Sequence, residues 1–252
     1  MINEKTLIGV VTYNRLEMSK KCIASVINTV DIEKHSLYLI DNASTDGTIE
    51  WLKELKLAYP SINLIFSETN IGTARGLNLA WKLKEKNQAC LKIDNDMVFN
   101  TQKWLDYCLD VLNYDFTIGI CALKRKDLTE SPVSTNNWYK TKCFTIKQYM
   151  VEEANHTIGS CWVVNPNLIN VIGALRQPTL YGFDDALYCH RAHIAGFKTV
   201  FLPNIDIDHI DPGNCEYTKV KQATASKDMQ EYNKMLYEYI NKKRPVYEDF
   251  NY

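Results

Sequence analysis

Leu91-Lys92-Ile93-Asp94-Asn95-Asp96-Met97-Val98-Phe99 is an apolar run that ends in two carboxylates one residue apart, after which apolar residues resume. A short run of this kind reads as a buried strand. Open α/β sheets bind ligands in the crevice beyond the carboxyl ends of their strands, and Asp94 and Asp96 stand at such an end. Asp-x-Asp there suits a divalent cation, because hard Mg²⁺ or Mn²⁺ takes oxygen ligands and keeps water and phosphate in its shell. The same residues also read as an Asp-rich turn that only closes a strand.

Working outward, the residues before this stretch alternate between two periods. Strands are expected over residues 6–11, 37–40, 62–66 and 89–93, and helices over 19–30, 48–57 and 72–86. That order predicts an α/β fold: a Rossmann-like, mostly parallel sheet with helices on both faces. Each strand delivers a polar cluster: Tyr13-Asn14-Arg15, then residues 41–47 from Asp41-Asn42 to Asp46-Gly47, then Glu68-Thr69-Asn70, then Asp94-Asn95-Asp96. In a parallel sheet these four ends share one edge, so four turns become one pocket.

Beyond residue 100 the pattern loosens. A helix over 102–112 and a strand over 118–123 precede a polar, irregular stretch up to about residue 142. A strand over 158–164 is entered through Gly159, and a helix over 184–195 opens on Asp184-Asp185. Short strands at 200–202 and 205–207 and a long terminal helix over 218–240 complete the reading. No repeat or linker interrupts it, so a single domain is expected.

The chain has 252 residues, 46% hydrophobic and 23% charged, which is enough apolar surface for a sizeable core and excludes global disorder. A net charge of −1 argues against a chain built around nonspecific nucleic-acid binding. Locally, Lys124, Arg125, Lys126, Lys140, Lys142 and Lys147 make a positive excess. The eight cysteines form no Cys-x-x-Cys pair, and several sit in apolar runs, as buried free thiols do, so a reducing cytoplasm is expected. Cys189, His190 and His193 lack a second ligand pair and read as helix packing rather than zinc. No run approaches the roughly 20 apolar residues that span a bilayer, and no signal-peptide region precedes the first strand, so no integral membrane association is expected.

Taken in order, the motifs Val10-Val11-Thr12-Tyr13-Asn14-Arg15, Asp41 to Gly47, residues 70–78 from Asn70-Ile71-Gly72 to Asn78, Ile93 to Asp96, Ile158-Gly159-Ser160 and Gly182-Phe183-Asp184-Asp185 resemble those of the family-2 glycosyltransferases with the GT-A fold. The likeness covers roughly residues 5–210. It implies transfer of a hexose or pentose from a nucleotide-diphosphate donor (UDP-, GDP- or dTDP-linked) to an acceptor hydroxyl, with inversion at the anomeric carbon. It also implies a domain over 1–215, with a nucleotide-binding half to residue 100 and an acceptor-binding half after it, and 216–252 as a C-terminal helical extension.

By that resemblance Thr12, Tyr13, Asn14, Arg15, Asp41, Asn42, Arg75, Asp94 and Asn95 would bind the donor. Asp96, with Asp94 and His209, would hold Mn²⁺ or Mg²⁺ against the departing diphosphate. Asp185 would be the general base, with Asp184 beside it, and Gly159, Ser160 and Trp162 would line the acceptor side. The chain departs from the common pattern after the acidic pair, where Ala186 replaces a third acid. A glycan acceptor is expected. The lysine excess leaves a hydroxylated base of viral DNA as an alternative acceptor, and a non-catalytic sugar-nucleotide binder is the alternative outside catalysis. A nucleotidyltransferase would need a Gly-rich phosphate loop after the first strand, which residues 11–15 lack.

Overall fold

In the computed structural model of the chain, residues 2–126, 142–180, 182–211 and 216–251 are described, the side chains of the last segment from residue 225. The amino-terminal half is built from β1 (Leu7–Thr12), α1 (Leu16–Thr29), β2 (Ser36–Asp41), α2 (Thr48–Ala58), β3 (Asn63–Phe66), α3 (Thr73–Trp81) and β4 (Cys90–Asp94). After it come β5 (Met97–Phe99), α4 (Trp104–Tyr114), β6 (Ile118–Leu123), β7 (Lys142–Ile146) and β8 (Tyr149–Glu153). The chain continues through β9 (Cys161–Val164), α5 (Pro166–Ile172), α6 (Asp184–Ile194), β10 (Lys198–Leu202), β11 (Ile207–His209) and α7 (Glu216–Ile240).

Among the described residues, nine strands form one sheet in the order β3-β2-β1-β4-β9-β6-β10-β8-β7. Tracing the pairings across it, every strand points the same way except β8 and β9. The sheet is thus mostly parallel, with helices on both faces, as the alternation predicts. Side chains alternate across it. Leu91 and Ile93 of β4 face the core under α1, α2 and α4, while Cys90 joins Trp162 and Ile120 in the core under α3, α5 and α6.

The reversal of β9 matters for the site. Ile93 pairs with Cys161, and the Asp94 N–H donates to the Ser160 carbonyl at 2.9 Å. An antiparallel strand brings its amino end to the edge where its neighbours present their carboxyl ends. Gly159 and Ser160 therefore arrive beside Asp94.

Several expectations are corrected. The helix expected over 72–86 ends at Trp81, because Leu83 and Lys84 bond three residues back, to Ala80 and Trp81, and tighten the last turn. The strand expected over 158–164 begins only at Cys161, and that expected over 205–207 falls at Ile207–His209, where it pairs with β5. The β7–β8 hairpin was not expected. Its turn residue Lys147 takes a left-handed φ of 50° without the Asn-Gly signature such turns usually carry. Helix α5 was also missed, although its signal was there: Asn165 accepts the Asn167 N–H at 2.9 Å, with proline at the first helical position.

Gly9 carries α3 against the sheet: a Cβ there would collide with the Leu77 side chain. Gly9→Val is expected to cost about 1–3 kcal/mol by overpacking, read as a lower urea midpoint with unchanged m-value.

Candidate active site

The loop after β1 is held in a form that most residues avoid. Asn14 and Arg15 both take positive φ, 53° and 63°. The Asn14 N–H donates to Ser44 Oγ at 2.7 Å, and Asn14 Oδ1 accepts the Thr45 N–H at 2.8 Å. Backbone strain of this kind persists only when surrounding contacts over-determine it. Its result is to turn the Arg15 guanidinium onto two carboxylates, Asp96 Oδ2 at 3.2 Å and Asp211 Oδ2 at 2.8 Å.

The β5–β11 ribbon supplies the rest of this cluster. His209 pairs with Met97, the residue after Asp96, and the Ile210 N–H donates to the Asp96 carbonyl at 2.9 Å. That register brings His209 Nε2 to 3.7 Å from Asp96 Oδ2. Among the described residues, Asp96, His209 and Asp211 form a group whose ligand atoms lie within 4.8 Å of one another. One imidazole and two carboxylates are donors that Mn²⁺ and Mg²⁺ accept, so the set fits a divalent cation. Burial would raise the Asp96 pKa, but His209, Arg15 and Arg125 outweigh it and hold the carboxyl below its ordinary value.

Asp94 has a different partner. Its Oδ1 accepts from Lys92 Nζ at 2.7 Å, and it is not in the three-residue group. Burial pushes its pKa up to about 6; Lys92 opposes the rise, while Asp96 and Asp184 add to it.

The acidic pair enters through a second left-handed turn, Gly182 at φ 80° and Phe183 at φ 62°. Phe183 stacks on Tyr232 of α7, centroids 4.7 Å apart, so the terminal helix braces that turn. Asp184 and Asp185 then stand in the first turn of α6, where negative charge meets the positive end of the helix dipole. Asp185 Oδ1 accepts the Ala186 N–H at 2.7 Å, and Oδ2 accepts the Gly159 N–H at 3.1 Å. Burial alone would raise the Asp185 pKa, but His156, at 3.5 Å, with Lys92 and the Gly159 N–H, brings it down to about 2.

One cavity of about 380 Å³ joins the two groups. Arg15, Asp94, Asn95, Asp96, Gly159, Asp184, Asp185 and His209 line it, and so do Lys92, Arg125, Gln177 and Asp211, to which the sequence assigns no role in the site. A second hollow of about 60 Å³ shares Arg15 and Asn95 with it and adds Tyr13, Asn42 and Asn70.

Other expected residues are arranged differently. Thr12 and Asp41 are fully buried, with Thr12 Oγ1 donating to Asp41 Oδ2 at 3.1 Å and Ser44 Oγ to the same oxygen at 2.5 Å. They brace the hollow from beneath. Asn14 braces it through Ser44 and Thr45. Arg75 is exposed on α3 and lines neither cavity. Ser160 and Trp162 are buried, and only Gly159 of that trio lines the cavity. The basic run is engaged internally: Lys124 pairs with Glu152 at 2.6 Å and Lys126 with Asp206 at 2.5 Å, while Arg125 faces the cavity. Lys140 lies outside the described residues. In the helix read as packing, Cys189 meets Thr157, and His193 Nε2 meets Thr199 Oγ1 at 3.1 Å.

The model of the glycosyl transferase family 2 matches residues 7–173. The chain belongs to this family. AglE, a glycosyltransferase of Haloferax volcanii, is 25% identical across 58% of the chain and 55% of its own length. A mannosyltransferase of Pyrobaculum calidifontis, solved with GDP-Man and Mn²⁺, superposes with a TM-score of 0.68 at 16% identity, over 92% of this chain and 65% of that one. TarS of S. aureus, solved with UDP-GlcNAc, gives 0.62 at 18% identity, over 85% of this chain and 60% of that one. The fold is that of the GT-A glycosyltransferases. The chain spans roughly half to two thirds of the length of these proteins. Among the described residues, no helix is long and apolar enough to cross a membrane.

Proposed function

We propose that this family-2 chain moves a sugar from a nucleotide-diphosphate donor to an acceptor hydroxyl with inversion, in the presence of a divalent cation. The observation that carries this reading is a single cavity with Asp96, His209 and Asp211 on one side and Asp184 and Asp185 on the other. In this reading the nucleotide lies toward Tyr13, Asn42 and Asn70, and the diphosphate lies toward Asp96, Arg15 and Arg125. Asp96, His209 and Asp211 would hold Mn²⁺ or Mg²⁺, which would supply Lewis-acid stabilisation of the charge that develops on the diphosphate.

Inversion needs one displacement. The acceptor oxygen bonds to the anomeric carbon, the bond to the diphosphate oxygen breaks, and the hydroxyl proton passes to a carboxylate oxygen of Asp185. A carboxyl held near 2 is a weak base toward a neutral alcohol. It becomes competent as the attacking oxygen gains positive character on bonding to the anomeric carbon. We assign a glycan acceptor; Lys124 and Lys126 of the basic run are ion-paired within the chain, to Glu152 and Asp206.

The test is a thermal-shift screen of UDP-, GDP- and dTDP-sugars with Mn²⁺, followed by transfer assays on the stabilising donor. A donor at 100 times its Kd is expected to add about 2.7 kcal/mol of stability. Binding with no turnover on any glycan, peptide or DNA acceptor would favour a non-catalytic sugar-nucleotide binder instead.

A further inference from the structure

Lys92 is the residue of the site whose position demands most explanation. It lies within β4, 3% exposed, between the cross-strand partners Gly9 and Trp162. A buried ammonium is costly unless it is paired and hydrogen-bonded, and an apolar side chain would fill a strand interior at lower cost. Lys92 meets that cost inside the cavity wall. Its Nζ lies 2.7 Å from Asp94 Oδ1, donates to the Gly159 carbonyl, reaches Asp184 Oδ2 at 3.7 Å and stands 5.8 Å from the Trp162 ring centroid. Gly159 is gripped from both sides, its carbonyl by Lys92 and its N–H by Asp185. The contacts run without a break from the end of β4, through Lys92 and Gly159, to the acidic pair on α6.

Resting on the transfer reading above, we propose that Lys92 is a positioning residue: its ammonium draws Gly159 and Asp184 toward Asp94 and so sets how far Asp185 stands from the donor. The charges work in the same direction. Asp94, Asp184 and Asp185 converge on this one ammonium, and without it three carboxylates would repel across the opening where donor and acceptor must meet.

Lys92→Met removes the charge and keeps the buried stem. With the wild-type donor and acceptor pair it is expected to lower kcat about 100-fold, the scale of a misplacement near 1 Å, while donor KM and the Kd for Mn²⁺ change less than about 3-fold. The cation group and the Tyr13–Asn42–Asn70 hollow do not include Lys92, which is why binding stays. A variant that melts earlier but keeps its kcat per folded molecule overturns the proposal. So does a loss carried wholly by KM. If Lys92→Met fails to fold, Lys92→Gln, which keeps an N–H donor without the charge, carries the same test. The same split between kcat and KM supports the proposal, and an unchanged kcat defeats it. A wild-type protein that transfers no sugar removes the transfer reading and this inference with it. An active wild type alongside an equally active Lys92→Met removes this inference alone.

Discussion

Asp185→Asn is expected to lower kcat by about 10²–10⁴-fold, the range that general acid–base catalysis supplies. Asparagine has one acceptor oxygen where the carboxylate uses two, so it keeps either the Ala186 or the Gly159 N–H bond, and the variant loses proton acceptance together with the other bond. Donor KM should hardly move, because Asp185 belongs to neither the cation group nor the nucleotide hollow. The measurement is initial-rate transfer under donor saturation, with donor affinity read separately by thermal shift. A kcat within a few-fold of wild type would transfer the role of base to another group.

The same carboxyl gives a second signature. Its folded pKa, about 2, lies below the ordinary carboxylate value of 3.8, so the folded state favours the ionised form. That stabilisation is present above about pH 4 and is lost as the pH falls toward 2, at most about 2 kcal/mol for a shift of this size. Asp185→Asn should therefore lose stability less steeply than wild type between pH 4 and pH 2. Urea midpoints across that window would show it.

How much of this could be read from the chain itself varies by element. The β1 to β4 half was legible because apolar strands, amphipathic helices and polar strand ends each leave a periodic trace, and all four ends fall on one edge. Asp96, Asp185 and His209 were legible as motif positions. Lys92 was not singled out, although a lone lysine in an apolar strand two residues before Asp94 is itself a signal. Asp211 needed the β5–β11 register, a pairing between segments about 100 residues apart that no local pattern encodes. The direction of β9 was hidden for the same reason, since a short apolar run carries no mark of which way its partner runs. Thr12 and Asp41 show the converse ambiguity. A polar residue at a strand end looks the same in sequence whether it faces a ligand or, as here, a hydrogen-bonded neighbour beneath the pocket wall.

Asp96→Ala is expected to have the second large effect, a loss of donor turnover of about 10³-fold, consistent with several kcal/mol of charge stabilisation on a leaving diphosphate. EDTA should reproduce the loss in the wild type, and Mn²⁺ should reverse it there but not in the variant. Thermal shift with UDP or GDP plus Mn²⁺ reads the same loss without turnover, since Asp96 is the carboxylate His209 and Arg15 both approach. Asp94→Ala separates the two acids of the Asp-x-Asp stretch. Its carboxylate is taken up by Lys92, so the response to Mn²⁺ should survive while kcat falls as the Lys92 contacts loosen. An equal loss of the Mn²⁺ response in both variants would mean that Lys92 releases Asp94 to the cation when the donor binds. In that case the ammonium would be left to Asp184 and Gly159 alone during the transfer.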